Sequence, residues 1–279
     1  MTGAIAADRT RDIFAANRAR GGIALDVGVT AGASRATRVH EEGSLRVRFP
    51  GGRARELDAV LVNTAGGIAG GDRFALDIAV GEGAQLTVST AAAEKVYRAL
   101  DDAAQIDVKL SVGPHASLAW LPQETILFDQ SRLARTIEVD VDADARLMLA
   151  EALVFGRTGM GERVERGALT DRWRIRREGR LVYAETVRLD GQIAEKLALP
   201  AIGKGAVAVA TVILVPGDDA IPEIVRTLES DFRGEVGASA WNGGAVIRFV
   251  AAEGTAMRHD LMRVLTALRD KALPRLWLQ

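Results

Sequence analysis

The 279-residue chain contains no cysteine, which removes a disulfide framework, a thiol nucleophile and a thiolate metal site together. Histidine is almost as scarce: His40, His115 and His259 stand far apart, without the spaced pairs of a preformed zinc site. There is no Gly-x-Ser-x-Gly elbow, and so few histidines leave little material for a Ser-His-Asp triad. Neither sign of charge predominates, since 36 basic and 37 acidic side chains leave a net charge of −1. That balance argues against a nucleic-acid partner, which is usually met by a concentrated basic face. No apolar stretch approaches the roughly 20 residues of a membrane span. Met1 to Arg20 is interrupted by Asp8, Arg9, Arg11, Asp12 and Arg18, so the apolar core of a secretory signal is missing too. These absences point to a cytoplasmic protein without a membrane partner.

What the chain does have is alternation. Leu45, Val47 and Phe49 interleave with Arg46 and Arg48, and Leu86 and Val88 with Gln85, Thr87 and Ser89. The same period of two recurs at Ile106–Val112, Ile137–Val141 and Trp173–Ile175, which predicts strands with one buried and one wet face. Pro50-Gly51-Gly52, Gly81-Glu82-Gly83, Gly113-Pro114 and Glu178-Gly179 are the turns between them. The expected class is mainly β. Two later stretches, Pro222–Phe232 and Thr255–Ala272, instead carry apolar residues at helical spacing, with the strand Ala245–Val250 between them. They predict two helices forming a small α/β cap in the C-terminal part. Residues 1–20 are expected to be a loose, flexible arm, with Gly21-Gly22 opening the folded part.

One loop concentrates the glycines. The apolar lead Ala59-Val60-Leu61-Val62 runs into Gly66-Gly67 and Gly70-Gly71 and stops on Asp72, just before the expected strand Phe74–Val80. A dinucleotide fingerprint fails because Ile68 holds the third position, and a Walker loop fails because no Lys-Ser or Lys-Thr follows. Gly203-Lys204-Gly205 fails the same test, with Ala198 where the first glycine belongs. A terminal carboxylate would also repel phosphate. The loop therefore either turns a corner or sets Asp72 at a strand end.

Three further carboxylates sit in unusual company. Glu151 interrupts the apolar run Leu147–Phe155, Glu185 lies within Leu181–Val187, and Glu124 precedes Ile126-Leu127-Phe128. An ionised carboxylate is costly to bury without a partner. Each either meets an arginine, with Arg146, Arg157, Arg163 and Arg188 nearby in sequence, or lines a polar passage offering oxygen ligands to a cation.

Taken together, these stretches resemble the urease accessory protein D family (UreD, called UreH in some bacteria). The resemblance rests on Gly66–Asp72, on Lys95-Val96-Tyr97-Arg98, and on Leu118–Ile126 with its Trp120 and Glu124. It continues through Phe155-Gly156-Arg157 with Gly161-Glu162 and closes on Leu273-Pro274-Arg275-Leu276-Trp277. These motifs run in family order from about residue 22 to the C-terminus. The resemblance implies one UreD-like domain over 21–279, a β-helical stack of sheets with a few helices. It implies a non-enzymatic scaffold or chaperone that binds urease apoprotein and the accessory proteins UreF and UreG, and that assists nickel insertion. Nickel would be transient, with no tightly bound cofactor, and nucleotide chemistry would belong to UreG. Asp72, Glu151 and Glu185 would line an internal nickel path. The sequence departs from the family pattern at Thr64-Ala65, where prolines are usual, and at Asp129-Gln130-Ser131. The alternatives are a β-rich hydrolase using Glu124 or Glu162 as acid or base, and a metal-free adaptor whose carboxylates are all salt-bridged.

Overall fold

The computed structural model describes residues 18–51 and 55–278. Most of the expected arm, residues 1–17, lies outside the described residues, and the first strand already begins at Arg20. In chain order the strands are β1 Arg20–Thr30, β2 Ala33–Gly43, β3 Leu45–Arg48, β4 Leu57–Asn63, β5 Arg73–Val80, β6 Gln85–Thr90 and β7 Glu94–Val96. They continue with β8 Ala104–Val112, β9 Ser117–Leu121, β10 Thr125–Leu127, β11 Arg132–Val141, β12 Arg146–Phe155, β13 Arg166–Arg177 and β14 Arg180–Gln192. The last are β15 Ala208–Val215, β16 Glu235–Trp241 and β17 Gly244–Ala251. Among the described residues three α-helices join them: α1 Ile193–Ala198, α2 Ala220–Thr227 and α3 Gly254–Leu268.

From β4 to β13, apart from the short strands β7 and β10, the chain deals its strands alternately to two sheets. In one sheet β5, β8, β11 and β13 pair in parallel; in the other β4, β6, β9 and β12 do the same. Each circuit therefore adds one strand to each sheet, the geometry of a β-solenoid. Antiparallel strands close both ends of the coil: β1–β2 and β3–β4 at the start, β13–β14 and β12–β15–β17–β16 at the finish. The body is the expected β-helical stack.

Period-two patterning builds the core. Ile23, Leu25, Ile78, Leu110, Ile137 and Ile175 of the first sheet meet Leu61, Leu86, Leu118, Leu149 and Leu153 of the second in one buried cluster. The outer face of the first sheet stays wet. The outer face of the second does not: Ala150, Ala152, Val212, Ile247 and Phe249 pack under Met257, Leu261, Val264 and Leu265 of α3. That covering explains why β12 reads as a continuous apolar run, because a strand buried on both faces has no polar side to show.

The cap forms on this outer face. Helices α2 and α3 overlap the two predicted stretches but start at Ala220 and Gly254, before Pro222 and Thr255, and end at Thr227 and Leu268, short of the predicted ends, while β17 covers the predicted strand. Helix α1 has no counterpart in the sequence reading. Its two buried residues, Ile193 and Leu197, are too few to show a periodicity. None of the helices among the described residues is long and apolar enough to cross a membrane.

Candidate functional site

Alternation places polar groups inside the coil as well as apolar ones. In β11 the inward series is Leu133, Arg135, Ile137, Val139 and Val141; in β13 it is Leu169, Asp171, Trp173 and Ile175; in β12 it includes Leu149, Glu151 and Leu153. Parallel register sets Arg135 directly opposite Asp171. The coil then brings Glu151 of the facing sheet against the same guanidinium. Arg135 holds Asp171 through two bonds, Nε to Oδ1 at 3.0 Å and Nη2 to Oδ2 at 2.5 Å, and donates to Glu151 Oε2 from Nη1. All three side chains are at most 5% exposed.

Indoles complete the cluster. Trp120 Nε1 donates to Glu151 Oε1 at 2.8 Å, and Trp173 Nε1 donates to Asp171 Oδ1 at 2.9 Å. Two carboxylates thus share one guanidinium. Burial is the largest influence on Glu151 and pushes its carboxyl above the usual range, against the pull of Arg135 and Trp120. Burial also works against the charge on Arg135, but Asp171 and Glu151 outweigh it and keep the guanidinium firmly protonated.

Two cavities share this cluster in their walls. One, of about 260 Å³, is walled by Leu61, Ile68, Phe74, Ile106 and Trp120, and reaches outward to Asn63, Gly66, Ala92, Glu94 and Lys95. The other, of about 400 Å³, runs from the cluster past Asp171, Trp173 and Val209 to Glu185, Arg248, Ala201 and Ile202. Arg135 and Glu151 line both. At the outer end of the first, Glu94 takes hydrogen bonds from Asn63 Nδ2 at 3.3 Å, and burial raises its carboxyl above the usual range. At the outer end of the second, Glu185 bridges Arg248 Nη1 at 2.7 Å and the Tyr183 hydroxyl at 2.6 Å. Burial, then the hydrogen bond to Glu185, raise the Tyr183 phenol well above its ordinary value.

The three residues singled out from the sequence are therefore not one cluster. Glu151 and Glu185 line the larger cavity. Asp72 lines neither; it is 4% exposed and its two oxygens accept backbone N–H groups, Ala19 at 2.8 Å and Ala69 at 2.7 Å. It ties the glycine loop to the segment entering β1. The loop's glycines are sterically required: Gly67 has φ +147°, and a Cβ there would lie 2.3 Å from Tyr97, while one on Gly70 would lie 2.5 Å from the Ala99 Cβ. Among the described residues no three His, Asp or Glu side chains form a group that could hold a metal ion.

The remaining acidic candidates are also paired. Glu124 receives Arg258 Nη1 at 2.7 Å, and Glu162 receives Arg157 Nε at 2.5 Å. None of these partners comes from the expected neighbour except Arg157, which serves Glu162 instead. Sequence reasoning missed Arg135, Asp171 and Glu94. A signal existed for the first two, because the period that buries Ile137 and Trp173 also buries residues two positions before each.

A β-solenoid whose two sheets enclose charged, cavity-lining side chains is the class that fold and site define. Comparison with known proteins gives the family: the profile described as UreD urease accessory protein matches residues 19–278, and the chain belongs to that family. Urease accessory protein UreD 3 of Bradyrhizobium sp. (strain BTAi1 / ATCC BAA-1182) is 55% identical over 272 residues, covering 98% of each chain. Urease accessory protein UreD of Rhodopseudomonas palustris (strain BisA53) is 56% identical over 266 residues, 95% of this chain and 93% of its own. The namesake of Bradyrhizobium diazoefficiens (strain JCM 10833 / BCRC 13528 / IAM 13628 / NBRC 14792 / USDA 110) is 54% identical over 269 residues, 96% and 97% of the two chains.

Proposed function

We propose that this chain is a non-catalytic scaffold in urease maturation that passes nickel toward the urease active site along the interior between its sheets. The observation that carries the proposal is that Arg135 and Glu151 line both cavities, with a further carboxylate in the wall of each, Glu94 and Glu185. Oxygen donors along apolar walls suit the stepwise transfer of a borderline cation that must be released as well as bound. Nickel here is cargo rather than a resident cofactor. The scaffold would hold urease apoprotein and the accessory proteins UreF and UreG in the cytoplasm, where a cysteine-free chain has nothing to lose to reduction. In this reading Asp72 acts at one remove, by fixing the loop whose Gly66 and Ile68 line the first cavity. Pairing of Glu124 and Glu162 with arginines supports a role without acid–base catalysis.

One observation favours a second reading, the metal-free adaptor: Glu151 and Glu185 are both ion-paired. The two readings separate in one experiment. Glu94→Gln, Glu151→Gln and Glu185→Gln would be combined, and urease activation measured beside co-purification with urease apoprotein, UreF and UreG. A conduit loses activation while the complex still forms. Wild-type activation by the triple variant supports the adaptor and removes the conduit.

A further inference from the structure

We propose that Arg135 is the gate of this interior passage, the group a cation must displace to move from one cavity to the other. The inference rests on the conduit reading and adds the element that opens and shuts it. The cavities share Arg135 and Glu151, so the guanidinium occupies the ground between them. It is held there from both sheets, by Asp171 on the neighbouring strand and by Glu151 opposite.

The two carboxylates are the fixed parts. Each takes a hydrogen bond from an indole of the core, Trp120 at 3% and Trp173 at 4% exposure, and a packed indole has little freedom to follow a moving partner. Arg135 is the movable part: a long, flexible stem carrying the charge, with a cavity on either side into which it can swing. While seated, its positive charge repels an approaching cation and satisfies the carboxylate oxygens that would otherwise ligate it. Once it swings away, Glu151 and Asp171 present a pair of anionic oxygen donors to a divalent ion. The same pair recaptures the guanidinium when the ion leaves, so the metal is released and not stored. The device is a competition between one organic and one metal cation for a single pair of carboxylates.

The prediction is that deleting the charge turns a passage into a trap. Co²⁺, whose visible absorption reports ligation, would be titrated into the purified full-length chain and into Arg135→Gln, Arg135→Lys and Arg135→Gln/Asp171→Asn. Circular dichroism would establish the temperature at which each is folded. Arg135→Gln should bind one Co²⁺ at least tenfold more tightly than wild type; Arg135→Lys, which keeps a charge, should fall between. Arg135→Gln/Asp171→Asn should lose the gain. Where Arg135→Gln does not fold, the Lys variant alone carries the comparison. Equal Co²⁺ affinity in all folded variants overturns the gate. In parallel, urease activation by the Glu94→Gln/Glu185→Gln pair tests the conduit itself. Lost activation there with unchanged Co²⁺ affinity in the Arg135 variants removes the gate and leaves the conduit standing. Full activation there removes the conduit, and the gate with it.

Discussion

Asp72 Oδ1 accepts the backbone N–H of Ala19 at 2.8 Å, across 53 residues of sequence, while Oδ2 of the same carboxylate accepts that of Ala69 at 2.7 Å. The charge is spent on two backbone donors, and the contact fastens the start of β1 to the glycine loop. Hydrogen bonds to a charged group contribute about 1.5–3 kcal/mol each, less whatever water restores. Asp72→Ala should therefore lower stability by about 2–4 kcal/mol. Asp72→Asn should recover only part of this, because its amide presents a donor to a donor. Urea unfolding checks it: the midpoint should fall with the slope unchanged. A wild-type midpoint for Asp72→Ala would remove the latch.

The interior cluster predicts a strong asymmetry between breaking and replacing. Arg135→Met leaves Glu151 and Asp171 buried without their cation and should lose about 3–5 kcal/mol. Arg135→Met/Glu151→Leu/Asp171→Leu removes all three charges and should recover most of that loss, since apolar replacements of buried ion pairs are often neutral. Equal loss in the single and triple variants, measured by chemical denaturation, would contradict the account.

At the C-terminus, Trp277 is 1% exposed, donates from Nε1 to the Leu121 carbonyl at 3.0 Å and lies 5.0 Å beneath the Arg258 guanidinium. Trp277→Ala should lower stability by about 3–5 kcal/mol, as truncation of a buried aromatic commonly does. Thermal unfolding should show it. A loss below about 1 kcal/mol would mean that the C-terminal segment is not fastened through this ring.

Glu94 predicts a pH dependence. Burial holds its folded-state carboxyl above the usual range, so the stability it contributes is complete below the unfolded value and is lost as pH rises through the folded one. Glu94→Gln removes that loss. The variant should match wild type near about pH 4 and exceed it near about pH 8, the two sides of the carboxylate range. Urea midpoints at the two pH values decide it; a variant less stable than wild type at the higher pH has the sign wrong.

Glu185 predicts the opposite balance of stability and function. Its partner Arg248 is 47% exposed, and exposed pairs are worth little, so Glu185→Gln should change stability by less than about 1 kcal/mol. Urease activation should nonetheless fall if the carboxylate stands at the end of a nickel path. Unchanged activation with an intact complex would take Glu185 off that path.

Much of this molecule is legible locally, because the period of two is a property of successive residues. It marked β3, β6, β8, β11 and β13, and carried to the end of each strand it also puts Arg135 and Asp171 inside. The same rule misjudged Thr87 and Ser89, expected on a wet face and each 2% exposed, because the second sheet is covered on its outer side as well. Strands β1 and β2 went unmarked: Gly21, Gly22 and Gly28 interrupt the pattern of the first, and the second is an edge strand with little buried surface to pattern.

The sequence by itself determined which side chains face inward and that acidic groups would lie among them, since side-chain direction follows from backbone geometry residue by residue. It also set the glycine turn and its closing aspartate. Partners were decided elsewhere. Arg135 is 36 positions from Asp171 and 16 from Glu151, and Glu185 meets Arg248 from 63 positions away. Those distances close only when each circuit of the coil stacks on the last and the sheets face each other. Tertiary structure therefore decided that Glu151 and Glu185 share a cavity, that one arginine lines two cavities, and that Asp72 serves as a latch. Register and stacking bring together groups that no local pattern relates.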